Sequence, residues 1–388
     1  MNFEYSAEAN ERLLATAQLA AEKIQPTAES LEASDESARD KTMRQAHADL
    51  ARAGYIGGPI ATASGGAGMP MTEWVGHAER VAKACPSVYL SVSATQAAAV
   101  VLDRFGGDEQ KAAYLAPTLA GEKIGALALS EPNAGADYTQ IECVARPSGD
   151  GYVLEGTKSF VTNGPIADYL LIAAKTNPEA GVDGLSIFIV DKTASGVEYG
   201  PRLSTMGHRG VAIGDVRLVG CKVAKSALVG GAGAGFGYAM HALQFARISV
   251  AAGSLGIGEA CLDISLQRAR TRIAGGQKII KYQEVSFKLA QMKMLTDTGR
   301  LNLLFAAHTV DTGDADAGPN VSVTKIHNSE AATKIASLCV QVFGGEGYVA
   351  GTAAERLYRD ARLGELLYGT NEIHRVLLAK DAIAKLGG

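Results

Sequence analysis

Residues 127–137 have the sequence LALSEPNAGAD, in which a short apolar run ends in a turn of small and polar residues. The run predicts a β-strand. The turn after it would present successive backbone N–H groups together with the hydroxyl of Ser130. Such a turn can bind a flat, anionic ligand. The stretch therefore predicts both a strand of a sheet and one side of a ligand site.

The segments on either side of this stretch have a different periodicity. Apolar residues recur at helical spacing in five earlier segments, 6–23, 36–53, 72–85, 87–104 and 108–120. Between 125 and 230, short runs separated by Gly, Asn, Pro and Asp predict an antiparallel β domain. From Phe236 onward, long helical segments joined by short loops predict an antiparallel bundle. The predicted fold class is therefore α+β, because helices and strands do not alternate as in a doubly wound fold. We expect a helical domain at 1–124, a β domain at 125–232 and a helical bundle at 233–388.

The composition excludes several classes of protein. A net charge of −4 and a pI of about 6.0 argue against a nucleic-acid-binding surface. The histidines and cysteines show no paired spacing typical of a metal site, and five scattered cysteines are typical of a reducing compartment. No run of about eighteen apolar residues suggests a membrane span. We therefore expect a cytoplasmic protein that binds no metal, nucleic acid or membrane.

Three further segments contain polar turns, namely KSFVTNG at 158–164, QVFGGEGY at 341–348, and RDAR at 359–362 leading to LYGTNEI at 367–373. Each alone predicts no more than a turn or a helix cap. In this order and spacing, the four segments resemble those of the acyl-CoA dehydrogenase family, and the resemblance covers nearly the whole chain. It implies a helical domain, a central β domain and a C-terminal four-helix bundle. It also implies a homotetramer that binds FAD and an acyl-CoA, with an electron-transfer flavoprotein as a redox partner.

The resemblance implies roles for individual residues. Ser130 corresponds to a hydroxyl that contacts the flavin pyrimidine ring, Thr162 to one that reaches flavin N5, and Phe160 to an aromatic residue near the isoalloxazine. The residues expected to bind FAD, partly across a subunit boundary, are Leu129, Ser130, Phe160, Thr162, Arg272, Gln283, Gln341, Gly345, Thr370 and Glu372. Those expected to bind the acyl-CoA are Tyr89, Ala136, His241 and Gln244, and Arg247 corresponds to an arginine near the catalytic centre.

The glutamate that the family uses as a base is missing. Oxidation of a saturated acyl-CoA removes an α-proton, which requires a base within hydrogen-bond reach. One branch of the family places this glutamate where the present chain has Tyr368, and a second branch places it where the chain has Ala246. Glu365 lies one turn from Tyr368, and we expect its carboxylate to point elsewhere. The chain is thus an atypical member of the family it resembles, with Tyr368 and Arg247 as its expected catalytic residues.

Several functions are compatible with this replacement. Another carboxylate could serve as the base of a dehydrogenase, or Tyr368 could donate a proton in an enoyl-thioester reductase. A phenol with a pKa of about 10 is a poor base but a fair proton donor. Release of sulfite from a sulfinylated acyl-CoA needs no such glutamate. A non-catalytic FAD- or acyl-CoA-binding subunit and a flavin monooxygenase are further alternatives. We expect a FAD-dependent oxidoreductase that acts on the Cα–Cβ bond of an acyl thioester carried by CoA or by a carrier protein.

We expect the acyl pocket to lie between the helix at 87–104 and the start of the helix at 236. Both segments contain polar side chains, which predict a polar or short acyl group: Tyr89, Ser91, Ser93, Thr95, Gln96, His241 and Gln244.

Overall fold

The computed structural model describes residues 4–387 and has helices at both ends of the chain with a β-sheet between them, as the sequence predicted. Side-chain caps begin two of the early helices: Ser6 accepts from Ala9 N, and Asp35 accepts from Ala38 N. The N-terminal helices are α1 (Ala7–Leu19), α2 (Thr27–Ala33), α3 (Glu36–Arg52), α4 (Met71–Ala84), α5 (Pro86–Phe105), α6 (Asp108–Gln110) and α7 (Ala116–Leu119).

The central sheet is antiparallel except at one end. Its strand order is β1-β4-β2-β3-β7-β6, with β5 paired to β4. β1 and β4 run parallel, from Gly125 opposite Tyr169 to Ala128 opposite Ile172, and β2 meets β4 in parallel at one residue pair. A parallel pair needs a long connection, and the hairpin of β2 and β3 provides it. The strands are β1 (Gly125–Ala128), β2 (Val144–Ser148), β3 (Gly151–Thr162), β4 (Tyr169–Lys175), β5 (Leu185–Asp191), β6 (Val197–Arg202) and β7 (Ile213–Ala224).

A β-bulge interrupts β3 near its end. The pairing of β3 with β7 shifts register between Lys158 and Val161. Within the bulge, Phe160 has a φ of +55°, and Ser159 N donates to the carbonyl oxygen of Ser130 at 2.9 Å. Bulges redirect side chains, and this one joins the end of β3 to the turn that follows β1.

The C-terminal part is a bundle built around one long helix, α8. Two of its glycines permit close packing: a Cβ at Gly256 would lie 2.5 Å from the Glu79 carbonyl oxygen on α4, and one at Gly253 would lie 2.5 Å from the Tyr89 ring on α5. The helices are α8 (Gly235–Thr271), α9 (Gln283–Asp311), α10 (Ala317–Phe343), α11 (Ala353–Arg362) and α12 (Asn371–Lys385). A short hairpin joins α8 to α9. Its strands, β8 (Ile273–Ala274) and β9 (Gln277–Lys278), have two residues each.

By length and hydropathy alone, α8 would be able to cross a membrane, but 78% of its most apolar window is buried inside the protein. The helix contacts α4, α5, α9 and α10 along its length. Its apolar character is therefore explained by its position in the centre of the bundle.

Helix α5 is buried on all sides. Every residue from Pro86 to Leu102 is buried, because the helix lies among β1, α4 and α8. A polar side chain on such a helix must find its hydrogen-bond partners within the protein.

Candidate active site

A cavity of about 690 Å³ lies where the ends of β1 and β3 face the segment after α11. Volumes of this size are typical of sites for small molecules and cofactors. Arg359 and Arg362 provide the only charged side chains among the described residues of its lining. The other lining residues are Ala94, Leu127, Leu129, Ser130, Gly135, Ala136, Tyr138, Ser159, Phe160, Val161, Thr162, Leu203, Ser204, Thr205, Met206, Gly207, Ile213, Leu363, Leu366, Leu367, Tyr368, Gly369 and Thr370.

Seven of the residues predicted from the sequence thus come together, from three separate segments of the chain. They are Leu129, Ser130, Ala136, Phe160, Thr162, Tyr368 and Thr370. Four of them contribute hydroxyl or phenol groups, Ser130 and Thr162 from the β-sheet side and Tyr368 and Thr370 from the segment after α11, and most of the surrounding wall is apolar. Phe160 is 70% exposed at the rim, so a large part of its ring is uncovered in a single chain.

A buried ion pair fixes the two strand ends that form one wall. Lys158 Nζ lies 2.6 Å from Glu131 Oε1, and both side chains are almost fully buried. Lys158 also donates to the Leu129 carbonyl oxygen at 3.2 Å, while Glu131 accepts from the backbone N–H groups of Glu142 and Cys143. A buried pair is tolerated only when its remaining hydrogen-bonding capacity is satisfied in this way. The pair therefore locks the Ser130 turn against β3.

Asn163 anchors the end of β3 to α5. This residue is fully buried and has a φ of +66°. Its side-chain amide donates to the Ser91 carbonyl oxygen at 2.8 Å and to Thr95 Oγ1 at 3.2 Å, and its Oδ1 accepts from Ser91 Oγ at 2.7 Å. Thr162, the preceding residue, is therefore held at a fixed position on the cavity wall.

Tyr368 stands in the cavity in a strained backbone conformation, with a φ of +53°. Arg247 Nε on α8 donates to its carbonyl oxygen at 3.3 Å. Enclosure by the protein raises the pKa of the Tyr368 phenol, and nearby Tyr138 raises it further. The phenol therefore remains protonated at neutral pH. Burial also raises the pKa of Tyr138, and the nearby guanidinium of Arg247 partly opposes this shift.

No carboxylate lines the cavity within residues 4–387. Glu365 accepts a hydrogen bond from Thr333 Oγ1 at 2.7 Å and pairs with Arg362 at 2.5 Å, so its carboxylate has other partners. Ala246, at the second position used for the base, is buried and contributes only a methyl group. The wall thus holds two phenols, Tyr138 and Tyr368, and no base of the usual kind.

Most of the polar side chains expected at the acyl pocket do not line the large cavity. On α5, only Ala94 reaches the large cavity, and the polar side chains bond internally. Ser93 donates to the Leu90 carbonyl oxygen, and Gln96 donates to those of Tyr55 and Ile56.

The substrate residues predicted on α5 and α8 also lie outside the cavity lining. Tyr89 donates to the Ser249 carbonyl oxygen at 2.7 Å and lines a separate void of about 40 Å³. His241 is exposed and packs edge-on against Phe105. Gln244 is half-buried on α8 and does not line the cavity.

Four further residues predicted to bind FAD form a second group, outside the cavity. They lie near the C-terminal ends of α8 and α10 and the start of α9, and all are exposed: Arg272, Gln283, Gln341 and Gly345. Arg268 pairs with Glu346 at 2.8 Å in the same region. Glu372 is exposed at the start of α12, next to Thr370.

The sequence matches models of three domains in succession. Residues 6–122 match the acyl-CoA dehydrogenase N-terminal domain, 126–221 the middle domain and 233–383 the C-terminal domain. The chain belongs to the acyl-CoA dehydrogenase family.

Relatives in this family act in different ways, according to their names. The chain is 34% identical over 366 residues to the 3-(aryl)acrylate reductase of Clostridium sporogenes (strain ATCC 15579), covering 94% of the chain and 95% of the relative. It is 35% identical over 317 residues to the human mitochondrial short-chain specific acyl-CoA dehydrogenase, covering 81% and 76%. The solved structure of butyryl-CoA dehydrogenase from Megasphaera elsdenii superposes with a TM-score of 0.91 at 30% identity, covering 99% and 100%.

FAD is the cofactor of this acyl-CoA dehydrogenase family member. The structure of PigA with FAD and proline has a TM-score of 0.90 to the chain at 26% identity, covering 98% and 99%. The cavity fits such a group, since it combines apolar walls with hydroxyls at Ser130, Thr162 and Thr370. The protein is thus a flavoenzyme that acts on the Cα–Cβ bond of acyl thioesters.

Sequence reasoning missed some residues of the site. Tyr138 directly follows the 127–137 motif, and Arg359 and Arg362 belong to a quoted motif, but none was assigned a role. The signal that could have identified these three residues was their position within or directly after a motif. Whether such a side chain faces the cavity depends on the turn that carries it, which the motif alone does not determine.

Proposed function

We propose that this flavoenzyme reduces the Cα=Cβ bond of an α,β-unsaturated acyl thioester, with Tyr368 as the proton donor. The observation that supports the proposal is the cavity wall, which holds a protonated phenol and, among the described residues, no carboxylate. Reduction needs a proton donor at Cα, whereas oxidation needs a base that removes the α-proton. The raised pKa of Tyr368 makes it a still poorer base.

In the proposed reaction, the residues of the chain manage a single proton. FAD, when bound, supplies hydride exchange with the substrate Cβ. Tyr368 holds a proton at its phenol oxygen and delivers it to Cα as negative charge develops there, since the enolate of a thioester is much more basic than a phenolate. Arg247, through the Tyr368 carbonyl oxygen, keeps the ring in place.

The acyl group is proposed to be apolar. The residues of the cavity near Tyr368 and β1 are Ala94, Leu127, Leu363, Leu366 and Leu367. Burial of such surface against an alkyl or aryl chain contributes about 25 cal/mol per Å². This replaces the polar acyl group that the sequence suggested, because the polar side chains of α5 have internal partners.

We propose that the FAD isoalloxazine contacts Leu129, Ser130, Phe160, Thr162 and Thr370, and that a second copy supplies the adenosine-binding group of Arg272, Gln283, Gln341 and Gly345, with Glu372. The separation of these exposed residues from the cavity supports a shared site. We further propose a cytoplasmic homotetramer that exchanges electrons with an electron-transfer flavoprotein. Five free, buried cysteines support a reducing compartment.

Anaerobic absorbance spectroscopy of the purified protein tests the direction of the reaction. Enoyl and arylacryloyl thioesters are added to the photoreduced enzyme, and their saturated counterparts to the oxidised enzyme. We expect rapid reoxidation of the reduced flavin by an unsaturated thioester and little bleaching by a saturated one. Fast bleaching by a saturated acyl-CoA would overturn the proposal in favour of a dehydrogenase with another base.

The missing carboxylate also supports a second function, a base-independent elimination from a sulfinylated acyl-CoA. In that case the product would be sulfite, and the flavin would show no net change in redox state. Product analysis by chromatography separates the two functions.

A further inference from the structure

Lys325 on α10 lies directly beneath the turn that carries Tyr368. Its side chain is fully buried. The ammonium group donates to the carbonyl oxygen of Gly369 at 2.8 Å, to that of Glu365 at 3.3 Å and to Asn371 Oδ1 at 2.8 Å. These acceptors belong to one short segment, 365–371, on both sides of Tyr368.

The three acceptors match the hydrogen-bonding capacity of the lysine. An ammonium group has three N–H donors and no acceptor, and each donor has one partner here. Glu365 is bound only through its backbone carbonyl oxygen, because its carboxylate pairs with Thr333 and Arg362. A neutral amine would have two donors, so one of the three acceptors would be left without its partner.

The turn above Lys325 needs such support. Tyr368 and Gly369 have φ values of +53° and +97°, and a left-handed tyrosine persists only when its surroundings hold it. Arg247 binds the carbonyl oxygen of Tyr368 from α8, and Lys325 binds that of the next residue from α10. Two cations thus hold adjacent carbonyl oxygens of the turn.

We propose that Lys325 is a positioning residue whose charged ammonium group holds the 365–371 turn, and with it the Tyr368 ring, in the conformation that faces the cavity. It does not touch the cavity itself. The role of Tyr368 rests on the proposed function, whereas the effect of Lys325 on the turn does not.

The charge of Lys325 is sensitive to pH. Burial and the charge of Arg247 on α8 together lower its pKa to about 8, while Glu365, Glu372 and Glu330 oppose the shift. His374 on α12 also faces the group, but its pKa is about 4, so it is neutral in the relevant range. The turn is therefore held at neutral pH and loosens as the pH rises through about 8.

Hydrogen–deuterium exchange of segment 363–371 in the FAD-loaded protein tests the proposal without reference to activity. Backbone N–H groups of Leu366 and Leu367 are hydrogen-bonded within this segment and report its opening. Exchange is measured near pH 7 and near pH 9 and corrected for the intrinsic effect of pH. In the wild type, we expect roughly tenfold faster corrected exchange at the higher pH.

Lys325→Met, which removes the charge and keeps the length, is expected to show the faster exchange at both pH values. Lys334→Met, an exposed lysine on the same helix, is the matched control and should behave like the wild type. If Lys325→Met does not fold, Lys325→Gln replaces it in the same measurement. Unchanged wild-type exchange between the two pH values, or wild-type protection in Lys325→Met, would overturn the proposal. If Lys325→Met shows the faster exchange but its reduced flavin is reoxidised at the normal rate, the role of Lys325 in holding the turn is supported. The same result would contradict the role of Tyr368 as the proton donor.

Discussion

At the scale of single residues, Tyr368 allows the proposed chemistry to be tested in both directions. Tyr368→Phe removes the proton donor but keeps the ring, so we expect FAD binding to persist and reoxidation by an unsaturated thioester to slow by about 10²–10⁴-fold. Tyr368→Glu restores the family's base, and a saturated acyl-CoA should then bleach the oxidised flavin. Anaerobic stopped-flow absorbance measures both rates. A Phe variant as fast as the wild type would exclude Tyr368 as the donor.

The buried pair of Lys158 and Glu131 predicts a large effect on stability. Lys158→Met leaves the Glu131 carboxylate buried without its counter-ion. Such a change typically lowers the free energy of unfolding by about 3–5 kcal/mol. Urea denaturation compares it with Lys293→Met, which breaks an exposed pair with Asp297 and should cost less than about 1 kcal/mol. Equal midpoints for the two variants would mean that the buried pair contributes little.

The sequence predicted residues of the site where a motif carried them, and it failed where a role depends on tertiary neighbours. Ser130 and Thr162 lie in motifs and line the cavity. Lys325 lies in none of the four motifs, and its contacts lie 40 to 46 positions further along the chain. No local pattern encodes such a contact.

At the scale of elements, α5 shows the limit of reading a helix by its polar residues. Its existence was predicted, but its polar side chains were assigned to an acyl pocket. Because every residue from Pro86 to Leu102 is buried, polarity does not mark one exposed or ligand-facing side of this helix. The side chains instead form hydrogen bonds with α3, the segment after α3, β1 and the residue that follows β3.

The contact between α3 and α5 predicts how stability depends on pH. His47 on α3 bonds to Ser91 on α5 at 2.9 Å, and burial, aided by Arg44, lowers its pKa from 6.5 to about 3. The unfolded chain therefore binds more protons than the folded one between these values, so stability present above pH 6.5 is lost as the pH falls. By linkage, the lowered pKa of His47 should reduce the free energy of unfolding by roughly 2 kcal/mol at pH 5. His374, whose pKa burial lowers to about 4, should add a similar loss.

Urea unfolding at about pH 7.5 and pH 5 measures this dependence. His47→Gln should reduce this dependence by roughly 2 kcal/mol, which is the contribution expected from His47 itself. His308→Gln, at a partly exposed site on α9, should leave it unchanged. A His47→Gln variant with the full wild-type dependence would contradict the prediction.

At the scale of the whole molecule, the order of helices, sheet and helices was predicted, and the parallel pairing of β1 with β4 was not. The order follows from local periodicity, which changes near residue 124 and again near 236. The pairing joins residues about 44 positions apart, such as Gly125 and Tyr169. Both strands are short and apolar, and such strands can pair in either direction without a local signal.

The surface of α9 predicts the assembly. Phe287, Met294, Leu301 and Phe305 are 40–59% exposed and recur at intervals of seven and four residues, a pattern typical of a helix that packs against a partner. We expect light scattering to give four times the 40.3 kDa chain mass. Met294→Glu combined with Leu301→Glu should reduce that mass and weaken FAD retention. Leu14→Glu, at an exposed residue of α1, serves as the control, and a tetramer that survives the double variant would exclude this surface.

The burial of α8 has a consequence for protein synthesis. This helix is complete at Thr271, but α10, which covers much of it, ends at Phe343, 72 residues later (343 minus 271). At about 5–20 residues per second, a ribosome takes roughly 4–14 s to make that interval. For those seconds a helix apolar enough to enter a bilayer has α4 and α5 available but lacks α10, so we expect the nascent chain to need chaperones at the ribosome to keep it from aggregating or being sent to a membrane.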